Sequence, residues 1–220
     1  MLNCTKKSTP SVTPPTMSKD STFTYLALGD SYTIGESVAE AERFPNQLAD
    51  SLRIANIKIG TVKIVARTGW TTDELQNGIV AAGLTEANTF DMVTLLIGVN
   101  NQYRNRSVEE YKPQFTALLE RAIQFAGGKK ERVIVVSIPD YAYTPFGGGR
   151  KSISDGIDAY NAANEAITRA KGVAYAQITP ISREGLNDPT LVASDQLHPS
   201  GKQYSRWVSV MLPIAKAFFK

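Results

Sequence analysis

The chain is 220 residues long and 42% hydrophobic, enough for one sizeable core, and a single domain is the natural count. Lys and Arg together number 24 against 21 Asp and Glu, with neither a basic block nor aromatic-basic interleaving, so no nucleic-acid partner is expected. No apolar run reaches the roughly 18 residues of a membrane span; the single cysteine, Cys4, excludes an internal disulfide, and one cysteine with one histidine leave a transition metal little but carboxylates, so no metal site is expected.

Residues 1–22 are rich in Ser, Thr, Pro and Lys, too polar to bury a core, and read as a disordered tail or tether ahead of a folded domain over 23–220. Cys4, directly before Thr5-Lys6-Lys7-Ser8, is a candidate lipid anchor of the bacterial lipoprotein kind, which would put the protein in the periplasm or cell envelope. A plain thiol there would leave it cytoplasmic. Met1-Leu2-Asn3 lacks the charged and apolar regions of a signal peptide, which weighs against the anchor.

From there strands and helices alternate. Residues 23–28 form a short apolar strand bounded by Gly29. Residues 44–53 carry Phe44, Leu48 and Leu52 at helical spacing, with Pro45 in the first turn, where its missing N–H does no harm. Residues 57–66 alternate loosely as a second strand. Thr71 and Glu74 make a capping box that opens a helix, and 92–97 is unbroken in its apolarity, as a buried strand is. Ser107 and Glu110 make a second box, opening a long helix that Gly127-Gly128 stops. A strand over 132–137, a helix over 154–171 and a short strand over 173–177 follow, and a helix over 200–219, with Ser200 and Gln203 as a third box, closes the chain.

This alternation predicts an α/β fold, a parallel sheet covered on both faces: three layers, α/β/α, flavodoxin-like, with five strands in the order 2-1-3-4-5. Chemistry in such sheets gathers at the carboxyl ends of the strands. Gly29-Asp30-Ser31, Thr68-Gly69-Trp70 and Gly98-Val99-Asn100-Asn101 follow strands one, two and three, and His198 lies in the loop after strand five.

A serine hydroxyl needs a base within reach, and the base a partner that holds its tautomer. His198 is the only histidine, so any imidazole mechanism must use it; Asp195, three residues earlier, can meet one ring nitrogen while the other faces Ser31. Taken alone, Asp195 and Ser200 read equally as turn and cap residues and His198 as an exposed loop residue. Gly29-Asp30-Ser31 alone is equally a strand-ending turn. It is not the nucleophile elbow of α/β-hydrolases, since Thr33 stands where glycine is required, and no Lys-Ser or Lys-Thr pair follows to make a phosphate loop. Backbone N–H groups of Ser31 and Gly69 and the carboxamide of Asn100 can supply oxyanion donors.

Together, Gly-Asp-Ser, Gly, Gly-x-Asn and Asp-x-x-His form an ordered set that resembles the SGNH hydrolase superfamily, the GDSL esterases and lipases, from about residue 23 to the C-terminus. The resemblance implies Ser31 as nucleophile, His198 as base, Asp195 as its orienting partner, and Ser31, Gly69 and Asn100 as the oxyanion hole of a carboxylic ester hydrolase that needs no cofactor. One position departs from the pattern: Asn101 stands where Asp is usual, and activity is expected to survive because Asn makes similar turn bonds.

The substrate is less legible. Trp70, Tyr103, Tyr143 and Phe146 are candidate substrate-binding residues, alongside Tyr141 in the same aromatic run, and Arg104, Arg106 and Arg150 are candidates for an anionic group. The family's range implies a small-molecule, carbohydrate or lipid ester: short-chain acyl esters, carbohydrate acetyl groups or lysophospholipids. An acyltransferase on the same site and a non-catalytic binding module are the competing readings.

Overall fold

The structure is a computed structural model that describes residues 22–220. The tail expected over 1–22, Cys4 included, lies outside the described residues except for Thr22.

Five parallel strands form one sheet in the order β2-β1-β3-β4-β5. They are β1 (Phe23–Gly29), β2 (Ile59–Ala66), β3 (Met92–Leu96), β4 (Val133–Val136) and β5 (Ala174–Ala176). β3 and β4 are buried along their length and β1 from Tyr25 onward, since helices cover both faces, and only edge strand β2 shows an alternating pattern. Register brings Gly29 beside Ala66 and Leu96, and Val136 beside Ala176, so the carboxyl ends line up along one rim.

The longer helices are α2 (Phe44–Ile54), α3 (Thr72–Ala81), α5 (Val108–Phe125), α6 (Lys151–Ala170) and α8 (Gly201–Ala217). α2 and α8 pack on each other over one face of the sheet; α3, α5 and α6 form the layer on the other. The first layer is pinned by aromatics: Trp207 of α8, fully buried, lies 4.9 Å from the Tyr204 ring and 6.1 Å from that of Phe44. Three short helices sit at the rim: α1 (Ser31–Ile34), α4 (Val99–Tyr103) and α7 (Thr179–Ser182). None is legible in the sequence pattern, because a single turn carries no periodicity.

The start of one helix and two of the capping boxes differ from the sequence reading for identifiable reasons. α6 begins at Lys151 rather than 154, because Ile153 is buried one turn ahead of Ile157 and extends the apolar stripe back toward the Gly147-Gly148-Gly149 turn. The third capping box is half formed: Ser200 Oγ accepts the Gln203 N–H at 3.3 Å, but Gln203 Nε2 turns away to the Leu191 carbonyl at 2.9 Å. The first box closes on one side, with Glu74 accepting the Thr71 N–H at 2.9 Å while the Thr71 hydroxyl donates to Asp73 at 2.6 Å.

Candidate active site

β1 ends in a turn too tight for any residue but glycine. A Cβ on Gly29 would stand 2.1 Å from Thr33 Oγ1 and 2.4 Å from the Leu96 carbonyl oxygen of the neighbouring strand. Asp30 follows, fully buried, and its side chain accepts the Tyr32 N–H at 3.1 Å, as expected of a turn residue. Its other oxygen has no partner, and burial, offset in part by the N–H groups of Tyr32 and Asp30 itself, pushes its carboxyl up to about 7. Ser31 is then the first residue of α1, which ends on Gly35 in the left-handed region.

The Asp195–His198 segment is a loop pinched at its base, where the Ala193 N–H donates to the His198 carbonyl at 2.7 Å and Val192 bridges Pro199. Asp195 Oδ2 lies 2.6 Å from His198 Nδ1. Oδ1 accepts the backbone N–H of Leu197 at 3.0 Å and of His198 at 2.9 Å, and the Ser37 hydroxyl donates to Oδ2 at 2.7 Å. Burial raises the Asp195 carboxyl, but these donors together outweigh it and hold the group down at about 2. A carboxylate so fixed keeps the Nδ1–H tautomer and leaves Nε2 free to accept a proton. The Tyr32 ring meets the imidazole edge to face at 5.5 Å, and Trp207 lies beneath Tyr32 at 6.4 Å, so the imidazole rests on the core.

Gly69 follows β2 with φ +85°, in the left-handed region. Asn100 lies in α4, and its Nδ2 donates to the Trp70 carbonyl at 2.9 Å; an amide nitrogen carries two protons, so one remains. Ser31, His198, Gly69 and Asn100 line one cleft of about 280 Å³ at the carboxyl rim. Tyr32, Val99, Tyr103, Tyr141, Phe146 and Leu197 make its apolar walls. The rings of Tyr103, Tyr141 and Phe146 pack mutually with centroids 6.2 to 6.4 Å apart.

Two of the aromatic candidates lie elsewhere. The Trp70 ring covers Gly78 of α3, where a Cβ would fall 2.0 Å from it, and Tyr143 packs against the core outside the cleft lining. The arginines proposed for an anion are engaged inside the protein: Arg104 with Glu74 and the Gly69 carbonyl, Arg106 with Asp73, and Arg150 with the carbonyls of Gly147 and Phe146. Ser37 went unnoticed in the sequence because nothing local links it to a residue 158 positions away. Leu197, lying between Asp195 and His198, was within reach of the motif. Among the described residues no cluster of His, Cys, Asp or Glu is arranged to hold a metal ion, and no helix is long and apolar enough to cross a membrane.

A flavodoxin-like sheet with a serine turn after β1 and an Asp-His pair after β5 defines the class. The chain belongs to the GDSL-like lipase/acylhydrolase family, whose profile matches residues 27–206, and this membership supports a carboxylic ester hydrolase. Solved structures share the fold. TesA superposes with a TM-score of 0.68 at 16% identity, covering 89% of this chain and 99% of that one. The psychrotrophic esterase EstA from Pseudoalteromonas sp., solved with monoethylphosphonate, gives 0.67 at 17% identity over 89% and 98% of the two chains. Axe2, an acetylxylan esterase from Geobacillus stearothermophilus, gives 0.65 at 17% identity over 90% and 96%. No curated protein shows significant sequence similarity to the chain.

Proposed function

We propose that this protein is a serine esterase that hydrolyses carboxylic esters of short to medium acyl chains through an acyl-enzyme on Ser31. One observation carries the reading: Ser31, the Asp195-bonded His198, Gly69 and Asn100 come from four separate segments and share one cleft. Ser31 Oγ attacks the ester carbonyl as its proton passes to His198 Nε2. The N–H groups of Ser31 and Gly69 and the second Asn100 amide proton stabilise the oxyanion. His198 then protonates the leaving alcohol, and water, deprotonated by the same nitrogen, attacks the acyl-enzyme and releases the acid and Ser31. The scheme uses no cofactor.

The acyl side follows from the walls. Apart from the groups that do the chemistry, the cleft is mostly ring and aliphatic surface. Each methylene it buries is worth about 0.8 kcal/mol, or roughly fourfold in kcat/KM, until the space is filled. A series of nitrophenyl esters from acetate to decanoate tests this: kcat/KM rises to an optimum and then falls, and Ser31→Ala abolishes turnover and fluorophosphonate labelling. Retained hydrolysis in a clean Ser31→Ala preparation overturns the serine reading, and a flat chain-length profile overturns the acyl preference.

A second reading, deacetylation of carbohydrate, has one observation in its favour: Tyr103 is 57% exposed at the cleft mouth and can stack on a sugar face. Acetate release from acetylated xylan faster than from the best nitrophenyl ester would favour it. Product analysis with added alcohols distinguishes hydrolysis from acyl transfer.

A further inference from the structure

Gly69 is the least supported member of the oxyanion set. A Cβ on it would find nothing nearer than Arg104 Nη2, at 3.7 Å. That open side suits an approaching carbonyl, but it leaves a residue of maximal backbone freedom with no packing to hold it. Something else must fix the peptide planes around it.

The α4 helix and its C-terminal cap do so. Arg104 Nη2 donates to the Gly69 carbonyl at 2.7 Å, Asn100 Nδ2 to the Trp70 carbonyl at 2.9 Å, and Asn101 Oδ1 accepts the Thr72 N–H at 3.1 Å. The loop is thus stitched to the segment that carries Asn100 at Gly69, Trp70 and Thr72. On the other flank the Thr68 hydroxyl donates to Glu36. Arg104 is itself aimed: its Nη1 pairs with Glu74 at 3.1 Å, and the second oxygen of that carboxylate holds the Thr71 N–H at 2.9 Å. Both side chains are more than a third exposed, so the ion pair adds little to stability. Its consequence is geometric: a planar guanidinium with Nη1 on a carboxylate oxygen and Nη2 on a carbonyl cannot rotate without breaking both bonds.

We infer that Arg104 is a positioning residue for the oxyanion hole: buttressed by Glu74, it holds the Gly69 carbonyl so that the Gly69 N–H and the Asn100 amide stay aimed at one point. The inference rests on the reading of Gly69 and Asn100 as oxyanion donors. It also accounts for Arg104 without any contact to substrate.

Misplacing a reacting group by about 1 Å can cost on the order of 100-fold, and losing an oxyanion donor outright about 100- to 1,000-fold. Arg104→Gln is therefore expected to lower kcat by about 10- to 100-fold with KM within about twofold. Arg104→Lys, with a single point of contact, should recover part of the loss, and added guanidinium ion should partly restore Arg104→Ala. Glu74→Gln should lower kcat in the same sense but less. Arg106→Gln, which breaks an ion pair to Asp73 but no bond to residues 69–72, is the control and should leave kcat unchanged. In an Asn100→Ala background the Arg104→Gln effect should shrink, since both act on one oxyanion.

Raised KM at unchanged kcat would make Arg104 a substrate contact and overturn the inference; so would wild-type kcat in both Arg104→Gln and Glu74→Gln. If Arg104→Gln fails to fold, the lysine and Glu74 variants carry the test. Failure of the underlying reading looks different: Asn100→Ala then keeps full activity, whatever Arg104 variants do.

Discussion

Asn101 and Thr72 exchange two buried hydrogen bonds: the Thr72 N–H reaches Asn101 Oδ1 at 3.1 Å, and Asn101 Nδ2 reaches Thr72 Oγ1 at 2.8 Å. The Thr72 hydroxyl donates in turn to Gln114 Oε1, so Asn101 and Thr72 each both give and receive. This is how the chain accommodates Asn where Asp is usual. An aspartate would accept from both Thr72 groups, and Gln114 would have to turn its amide to donate instead.

Asn101→Asp should therefore fold and keep kcat within about fivefold, because the relay can reverse. Asn101→Leu cannot be repaired that way. It strands the buried Thr72 N–H, while the Thr72 hydroxyl keeps its bond to Gln114, at a cost of about 1–3 kcal/mol, and loosens the loop bearing Gly69. Urea unfolding with parallel kcat measurements checks both; an unaltered Asn101→Leu protein would refute the relay as a structural element.

The Asp195 carboxyl, held at about 2 against an ordinary 3.8, has a second testable consequence. A depressed carboxylate adds stability that is fully present above about pH 4 and is lost as pH falls through 2. Asp195 therefore stays ionised throughout the range above pH 4 and contributes no limb to the kcat/KM profile there. Asp195→Asn places an amide against the His198 Nδ1 site and favours the wrong tautomer, so kcat should fall on the order of 10⁴-fold with the fold retained. Ser37→Ala removes one of the donors and should cost only a fewfold.

Asp30 gives the opposite sign. Its carboxyl is pushed up from 3.8 to about 7 by burial, so over most of that range the native chain keeps a proton that the unfolded chain releases. Its contribution is present in full below about pH 4 and declines as pH rises through 7. Asp30→Asn cannot ionise, and the difference in unfolding free energy between it and the wild type should slope across that window. A pH-independent difference would show that Asp30 is ionised in both states.

Gly29→Ala should be severely destabilising, by about 3 kcal/mol or more, because the added methyl meets the buried Thr33 side chain and, behind it, a strand carbonyl that cannot move aside. Gly69→Ala finds space but the wrong φ and should cost about 1–2 kcal/mol. Thermal melts of the two variants should rank them in that order.

Much of this architecture was legible because parallel, doubly covered strands are written as unbroken apolar runs; β1, β3 and β4 fall within a residue of the runs that announce them. Strand order and strand ends then placed Ser31, Gly69, Asn100 and His198 on one rim. What stayed hidden depends on side chains meeting across sequence distance. Trp70 reads as a cleft aromatic until Gly78 is seen to make room for its ring. Arg104 reads as a surface cation until Gly69 and Glu74 converge on it. The rim turns α1 and α4 are set by strand-end packing, not by periodicity.

The tight fit of Gly29 between Thr33 and the Leu96 carbonyl also bears on how this protein can change. Ser31 is anchored to the sheet, whereas Tyr103 and Phe146 stand 57% and 45% exposed on separate rim segments. On the proposed function, replacing those two rings should alter which esters are accepted without shifting Ser31. Selectivity and reactivity can therefore be varied independently in a laboratory evolution experiment.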